Sequence, residues 1–438
     1  MEIPIKILQF FLCFTLIVGL HELGHFLTAR LFRIRVEKFY IFFDPWFSLF
    51  KFRRGETEYG LGWLPLGGYV KIAGMVDESM DKEQLAGPVR RDEFRAKPAW
   101  QRFIVMIAGV VMNLATAVAI YAAVSYRAGE SYLANDDVEL GYAFNESARA
   151  LGFRDGDRIR SIGGERIDDY ASITTALLLV DGDREAVVER DGTLHTLRIP
   201  FERLIEMRRA KGYEHFATPR LPFRIDSVVA PAAAQLRRGD RITGIGDRSG
   251  MDQQQLREAI RAAAGGTVTL RVERADSIFA LTLPVSDEGT IGVLLDPAPL
   301  RIRTRRYTFF ESIPAGFRRA GETVANYWEQ LKLIAKPETK MYEELGGFIA
   351  IGNLFAPEWN WLDFWLKTAF LSIILAVMNI LPIPGLDGGH ALFTFWEMVT
   401  GRKVSERVLV AAQYIGLALL LALVLYVNGN DIYRFFLK

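Results

Sequence analysis

Four stretches of the chain are apolar for long enough to cross a bilayer as a helix, which needs about 20 residues. They cover residues 4–32, 99–126, 361–383 and 407–427. The first has a single basic residue near its start, Lys6, and no small-x-small cleavage site at a suitable distance. We therefore expect it to be retained rather than removed as a signal peptide. This pattern predicts a polytopic α-helical membrane protein with about four transmembrane helices.

Basic residues near the ends of the spans predict the orientation, because cytoplasmic loops carry an excess of Lys and Arg. Those on the side that we assign to the cytoplasm are Arg30, Arg33, Arg35, Lys38, Arg95, Lys97, Arg102, Arg402, Lys403 and Arg407. Both termini and residues 127–360 then face the other side. A second basic cluster at 301–306 lies on that other side, but long translocated domains are largely exempt from the rule.

Residues 127–300 are polar and contain an internal repeat. The stretch ALGFRDGDRIRSIGGERI at 150–167 is echoed by AAQLRRGDRITGIGDRSG at 233–250. Each copy is followed by an expected helix, at about 173–179 and 253–263, and then by a strand-like run, EAVVER or TVTLRVER. Two copies of one small unit predict two domains in tandem.

The Gly-Asp-Arg-Ile turns of this repeat resemble those of PDZ domains, in which a short helix precedes the turn and a strand follows it. The resemblance implies two PDZ-like α+β domains, at 127–215 and 216–300. PDZ domains bind peptides as an added strand at a sheet edge. The alternative, that these loops only shape the domains and bind no peptide, stays open, and neither copy shows an obvious carboxylate-binding loop.

Composition narrows the chemistry. The formal net charge is +1, which gives no indication of nucleic-acid binding. The single cysteine, Cys13, excludes an intramolecular disulfide and a cysteine-rich metal site, so we expect it to be a small apolar packing residue.

The first span contains three ionisable side chains, which are costly inside a membrane and seldom lack a function there. His21 and His25 are four residues apart, so a helix places both on one face, where their imidazoles can bind one metal ion. Zinc is the commonest partner for this spacing. Glu22 is offset by about 100° around the helix and can reach a metal-bound water as a general base. The alternative, a solvated pair of histidines and a surface carboxylate, fits poorly inside a membrane.

A catalytic zinc site usually has three protein ligands, so a third must come from elsewhere. Asp387 lies in a segment broken by proline and glycine just after the third apolar span, and such backbone at membrane depth has to line protein or a water-filled cavity. Taken alone it is more simply a turn aspartate. His390 is a rival ligand, although we expect it to support a ligand or to start a helix. His195 and His215 fall in the translocated region and are excluded.

Three features together resemble the site-2 protease family of intramembrane zinc metalloproteases, peptidase family M50. They are His-Glu-Leu-Gly-His in the first span, Asn-x-x-Pro-x-Pro-x-Leu-Asp-Gly-Gly-His in the third, and the tandem PDZ-like domains between spans two and three. The resemblance implies Zn²⁺ as the cofactor, Glu22 as the catalytic carboxylate, a substrate-holding Asn379, and as zinc ligands His21, His25 and Asp387. An alternative for Asn379 is a hydrogen bond between helices.

The cytoplasmic loop at 36–98 contains Glu-Tyr-Gly-Leu-Gly-Trp-Leu-Pro-Leu-Gly-Gly-Tyr-Val-Lys-Ile-Ala-Gly at 58–74, which predicts a β-hairpin or strand pair. The family has a membrane-associated β-element here whose edge can pair with an unwound substrate. This implies substrate contacts for Gly67, Gly68 and Tyr69. A purely structural hairpin is the alternative. The family commonly has Gly-Gly-Pro before span three, where this chain has Gly-Gly-Phe at 346–348.

The remaining segments complete the predicted organisation. Residues 1–35 form the first transmembrane helix, 99–126 the second, and 361–390 the third with its Leu-Asp-Gly-Gly-His, whereas 391–438 hold a cytoplasmic loop, the fourth span and the C-terminus. Residues 301–360 form an interfacial segment, in which 312–336 predict an amphipathic helix on the outer surface. Its expected apolar side consists of Phe317, Val324, Tyr327, Trp328 and Leu331.

The expected function is regulated intramembrane proteolysis in a bacterial inner membrane, with the PDZ-like domains in the periplasm and the active site near the cytoplasmic side. The resemblance implies lipid-embedded substrates with a single transmembrane helix, such as anti-sigma factors or remnant signal peptides, and a filter formed by the PDZ-like domains. The alternatives are a proteolytically inactive scaffold and a metal transporter. A transporter would need further polar residues along the spans, and spans two and four are nearly free of them.

Overall fold

The computed structural model describes residues 2–75, 88–179, 181–230, 233–275 and 277–437. The described α-helices are α1 (Glu2–Leu31), α2 (Ala99–Ala128), α3 (Glu146–Ala150), α4 (Ser172–Leu178), α5 (Phe201–Arg209), α6 (Gln253–Ala262), α7 (Phe309–Ile334), α8 (Phe348–Asn353), α9 (Trp361–Ile380), α10 (Asp387–Thr400) and α11 (Glu406–Ile432). The described strands are β1 (Val36–Arg54), β2 (Thr57–Ile72), β3 (Glu130–Leu133), β4 (Tyr142–Phe144), β5 (Arg158–Ile162), β6 (Glu165–Arg166), β7 (Arg184–Arg190), β8 (Thr193–Ile199), β9 (Ala217–Pro219), β10 (Phe223–Val228), β11 (Arg241–Ile245), β12 (Arg248–Ser249), β13 (Thr267–Arg274), β14 (Ser277–Pro284), β15 (Val293–Leu295) and β16 (Ile302–Arg305).

The chain divides into two compact units. One combines Met1–Gly129 with Arg306–Lys438, and the other is Glu130–Arg305. Within the described residues, the first unit has four helices long and apolar enough to cross a membrane, at Glu2–Leu31, Ala99–Ala128, Trp361–Ile380 and Arg407–Phe436. A helix of 30 residues reaches about 45 Å, more than the roughly 30 Å of a hydrocarbon core. The four predicted spans are therefore confirmed as helices of sufficient length.

Helices α1 and α2 cross closely because small residues lie between them. A Cβ atom on Gly24 would stand 2.5 Å from the backbone oxygen of Ala108, so no larger residue fits at this crossing. Close approach through small residues is how membrane helices gain packing without a hydrophobic driving force. The crossing brings the histidine-bearing part of α1 directly against α2.

Strands β1 and β2 form a sheet of their own beside α1. β1 bends near Phe42 and Trp46, which have φ angles of +68° and +72°. Residues 38–41 pair with both 58–61 and 68–71 of β2, whereas 50–54 pair with 57–61. The stretch 58–74 is therefore not a hairpin by itself, because its segments 58–61 and 68–71 both pair with residues 38–41 of the preceding segment. The aromatic run of that segment gives no clear two-residue alternation.

The third span ends in a broken segment, as the sequence predicts. α9 stops at Ile380, and α10 begins at Asp387. A Cβ atom on Gly388 would lie 2.2 Å from the backbone oxygen of Leu381, so only glycine allows the new helix to start against the preceding turn. The loop expected after residue 390 is instead helical as far as Thr400, because α10 continues to that residue.

In the second unit, the repeated Gly-Asp-Arg-Ile turn is held by the same ion pair twice. Arg190 Nε lies 2.7 Å from Asp157 Oδ1 in the first copy, and Arg274 Nε lies 2.7 Å from Asp240 Oδ1 in the second. Both aspartates are buried. Each arginine is the last residue of a strand, β7 or β13, so the pair ties the turn to the end of that strand.

Each copy of the repeat has its own hydrophobic core and sheet. The first sheet runs β6-β5-β7-β8, and the second runs β14-β13-β11-β10-β15 with β12 beside β11. Phe216 and Ala217 belong to the first core, and β9 pairs with β4. The first copy therefore extends through Pro219, past the predicted boundary at 215, because these residues are buried with the first core.

Helix α7 packs along α2. A Cβ atom on Gly316 would lie 2.7 Å from the backbone oxygen of Val118, so the two helices touch at a glycine. The expected apolar side of α7 is divided between two directions. Val324, Tyr327 and Leu331 pack into a core cluster with α2 and α9, whereas Phe317 and Trp328 are exposed.

Candidate metal centre

His21 and His25 lie one helical turn apart on α1 with their rings turned toward each other. Their Nε2 atoms are 3.2 Å apart, and both side chains are buried. His25 Nδ1 lies 2.8 Å from the backbone oxygen of Val105. A carbonyl oxygen can only accept, so Nδ1 carries the proton and the neutral ring keeps a lone pair on Nε2.

Asp387, at the start of α10, completes the group. Its Oδ2 lies 3.1 Å from His21 Nε2 and 3.3 Å from His25 Nε2. This oxygen is buried and has no hydrogen bond of normal geometry among the described residues. Three potential ligand atoms therefore converge on one point, and they are the one such group of His, Cys, Asp or Glu found in the described parts of the chain.

These separations fit a tetrahedral metal site. Two ligand atoms that each lie about 2.05 Å from a tetrahedral Zn²⁺ are roughly 3.3 Å apart, and the three observed separations are 3.1, 3.2 and 3.3 Å. Two imidazole nitrogens and one carboxylate oxygen also form a donor set typical of catalytic zinc, which keeps a fourth position open. The residues present therefore fit the metal that the sequence predicts.

Glu22 stands beside this group and points toward the β-sheet. Its carboxylate accepts a hydrogen bond from the backbone amide of Val70 in β2. A Cβ atom on Gly68 would lie 3.5 Å from Glu22 Cγ. The Glu22 side chain therefore lies between the edge of β2 and the two histidines.

All these groups line one cavity of about 840 Å³ in the first unit. Gly67, Gly68 and Tyr69 border it, as do Asn379 and His390. Apolar members of the wall come from α1, β2, α9 and α11, namely Phe14, Val18, Leu64, Leu375, Leu417 and Leu420. An extended apolar peptide has both room and matching surface here.

Asn379 lies near the end of α9, and its Nδ2 is 3.3 Å from His21 Nε2. Tyr69 donates its hydroxyl to Asp44 Oδ1 at 2.9 Å and stacks on Phe43. The structure thus brings His21, Glu22, His25 and Asp387 together, with Asn379 and the 67–69 edge around them. His390 lies at the cavity wall, one turn into α10.

Comparison with known proteins identifies the family of this chain. The sequence profile of Peptidase family M50 matches residues 9–423. The chain belongs to Peptidase family M50. The family predicted from the three motifs is therefore confirmed.

The M50 chain also matches curated relatives along its whole length. A protein of Neisseria meningitidis serogroup A named "Putative zinc metalloprotease" is 30% identical over 458 residues, which cover 98% of this chain and 99% of the relative. A protein of the same name from Xylella fastidiosa is 28% identical, with 96% of each chain covered. "Regulator of sigma-E protease RseP" of Salmonella typhimurium is 28% identical over 97% of this chain and 98% of its own.

Two residues of the candidate site are not among those predicted from the sequence. Gly109 lies against both histidines, since its Cβ would stand 2.4 Å from His25 Nε2 and 2.5 Å from His21 Cε1. Gln413 of α11 is buried at the cavity wall, although span four was considered nearly free of polar groups. Neither residue belongs to a motif, and the only available signal was a polar or minimal side chain inside an apolar span.

Proposed function

We propose that this chain is a zinc metalloendopeptidase of the site-2 type, which hydrolyses a peptide bond within a transmembrane segment of another protein. The observation that carries the proposal is the convergence of His21 Nε2, His25 Nε2 and Asp387 Oδ2, with the Glu22 carboxylate beside them. The two histidines and Glu22 lie on α1, which is long enough to cross a membrane, and Asp387 follows the end of α9, which is also long enough. His21, His25 and Asp387 are the proposed ligands.

The chemistry assigns one role to each group. When bound, zinc supplies Lewis acidity toward a substrate carbonyl and a water molecule. Glu22 takes a proton from the attacking water as that water adds to the carbonyl carbon, and it gives the proton to the amine when the C–N bond breaks. The hydrogen bond from Val70 holds Glu22 at the sheet edge where the substrate backbone has to lie.

The sheet beside the site supports binding of an extended substrate. Residues 67–72 of β2 border the cavity, and among the described residues 68–72 pair only on the β1 side. A helical substrate hides its peptide bonds, and pairing with this edge stabilises the unwound form. We assign substrate contacts to Gly67, Gly68 and Tyr69, and to Asn379 through its side-chain amide.

The second unit carries the substrate-filter part of the proposal. Its two copies each combine a sheet, a helix and the ion-paired turn, as the PDZ resemblance implies. The basic residues at the span ends support a location of this unit in the periplasm of a bacterial inner membrane, with the metal centre nearer the cytoplasm. The domain division at 127–215 and 216–300, moved to include Pro219 in the first copy, belongs to this proposal.

A cleavage assay tests the function. The substrate is a tagged membrane protein with one helix-destabilised transmembrane segment and a small outer domain, mixed in detergent with the full chain. We expect cleavage by the wild type, and loss of at least a hundredfold in Glu22→Gln, because the proton acceptor is removed. Chelation should abolish cleavage and added Zn²⁺ should restore it.

The matched control is Gln254→Glu, an amide–carboxyl exchange on the exposed surface of α6, which should leave the cleavage rate unchanged. Unaltered cleavage by Glu22→Gln would contradict the assigned base. Cleavage that survives chelation would contradict a metalloprotease. Zinc uptake without cleavage, accompanied by zinc transfer across a vesicle membrane, would favour the transporter instead.

A further inference from the structure

Asn113 of α2 has a side chain that the proposed chemistry does not use. It is completely buried, and its Nδ2 lies 3.2 Å from His21 Nδ1. Its Oδ1 is also buried and has no hydrogen-bond partner among the described residues. An unpaired amide oxygen at this depth costs about 1–3 kcal/mol, so its presence beside a ligand needs a physical reason.

The protonation of His21 supplies that reason. His21 Nε2 faces His25 Nε2 and Asp387 Oδ2, so it must offer a lone pair when it binds a metal. The proton of the neutral ring then lies on Nδ1, where it has to be donated to an acceptor. If the NH₂ of Asn113 faces Nδ1, two hydrogen-bond donors face each other and no hydrogen bond can form. Rotating the amide by half a turn brings Oδ1 to Nδ1, where it accepts this proton, and places the NH₂ where the oxygen was.

We infer that Asn113 is a positioning residue that accepts the Nδ1 proton of His21 through Oδ1 and so keeps His21 Nε2 free to bind the metal. The inference rests on the metal site of the proposed function. Asn113 touches neither substrate nor metal, and it acts through His21 alone.

His25 shows the same arrangement on the same helix. Its Nδ1 donates to the backbone oxygen of Val105 at 2.8 Å. Val105, Gly109 and Asn113 are four residues apart, so they form one face of α2. On this face two acceptors flank a glycine that leaves room for both rings. α2 therefore orients both histidines.

The backbone of Asn113 has a separate bond to α9. Ser372 donates its hydroxyl to the backbone oxygen of Asn113 at 2.9 Å. This contact uses the backbone of Asn113, so joining α2 to α9 does not require its side-chain amide. The side chain is left to serve His21.

Zinc affinity tests the inference without relying on turnover. The full chain in detergent, carrying Glu22→Gln to prevent cleavage, is titrated with Zn²⁺ in competition with a chromophoric chelator. Asn113→Leu and Asn113→Ala remove the acceptor and should weaken zinc binding by roughly 10- to 100-fold. Asn113→Asp keeps an acceptor oxygen and loses the donor, so it should bind zinc within a few-fold of the Glu22→Gln parent or more tightly.

Ser372→Ala is the matched control, because it removes a buried hydrogen bond between α2 and α9 and leaves His21 untouched. It should retain the parent affinity. The inference is overturned if Asn113→Asp loses as much affinity as Asn113→Ala, or if both Asn113→Ala and Asn113→Leu bind zinc like the parent. If Asn113→Leu fails to fold, Asn113→Ala, which adds no bulk, still shows whether loss of the acceptor weakens zinc binding.

A different measurement, the cleavage assay, decides whether the proposed function fails. Cleavage that is independent of Glu22, or no cleavage despite tight zinc binding, contradicts the protease while leaving the affinity order of the Asn113 variants intact. A protease that depends on Glu22 and zinc, combined with unchanged affinity in Asn113→Ala and Asn113→Leu, contradicts only the role of Asn113. A chain that binds no zinc overturns both.

Discussion

Substitution of Gly109 by alanine tests how tightly α2 limits the positions of the histidines. The added Cβ would stand 2.4 Å from His25 Nε2 and 2.5 Å from His21 Cε1, whereas ordinary contact begins at 3.4 Å. At least one ring therefore has to move by about 1 Å. Ligand atoms of a metal site tolerate displacements of about 0.2 Å, so the rings cannot move this far and still bind zinc well.

Overpacking of a well-packed interior costs about 1–3 kcal/mol. If this cost is lost from the free energy of zinc binding, the zinc dissociation constant rises by about 5- to 150-fold. The measurement is the chelator competition in detergent, together with the thermal unfolding of the apo and zinc-loaded chain. We expect Gly109→Ala to unfold near the wild-type temperature without zinc and to lose most of the stabilisation that zinc provides.

Gly429→Ala is the control for a glycine-to-alanine change in a membrane helix, because nothing lies within 4 Å of its added Cβ. It should bind zinc like the wild type. The reasoning is refuted if folded Gly109→Ala binds zinc within twofold of the wild type, since the rings could then yield without leaving the ligand geometry.

Two further predictions concern the second unit, both measured by hydrogen exchange on the full chain in detergent. Asp252 caps α6 and lies 2.8 Å from Arg220 Nε, its mostly buried partner. Arg220→Met removes this partner and should lower the free energy of opening of α6 by about 3 kcal/mol. Unchanged hydrogen exchange in α6 would contradict this. Burial raises the pKa of the Asp240 carboxyl, but hydrogen bonds from Arg274 and a backbone amide outweigh it and hold the pKa below its ordinary value. This contribution is present above the unfolded pKa near 4 and is lost as the pH falls through the folded pKa, so acid should loosen β11 and β13, less so in Arg274→Met.

The part of the candidate metal centre that one helix contains, the grouping of its two histidines, could be predicted from the sequence. His21 and His25 are local to α1, and a spacing of four residues fixes their common face in any helix. Asp387 could be predicted because proline and glycine break the third span immediately before it, and because two histidines leave a ligand missing. The sequence alone could not show that Glu22 is held by the amide of Val70, since that contact depends on where an edge strand lies.

The sheet of β1 and β2 could likewise be predicted only in part. β2 was predicted in part because its glycines and alternating apolar residues are typical of a strand, whereas β1 was missed because its middle, Phe-Tyr-Ile-Phe-Phe-Asp-Pro-Trp-Phe, is apolar at nearly every position. Residues 38–41 pair on both sides, so this part of β1 lies inside the sheet, and its two partners could not be predicted from the sequence. α10 was missed for a related reason, because its glycines at 388 and 389 indicate a loop until the backbone atoms they accommodate are known.

Helix α2 shows why the surroundings of a ligand are harder to predict than the ligand. The backbone oxygen of Val105 serves His25, and no sequence pattern can reveal it, since every residue has one. Asn113 is visible as a polar residue in an apolar span, but the sequence does not show that its amide lies beside His21 Nδ1 with its oxygen unpaired. The need for an acceptor arises only once Nε2 is known to face Asp387. The acceptor that a ligand histidine needs at Nδ1 is therefore set by the three-dimensional packing of α2 against α1, which the sequence motif does not contain.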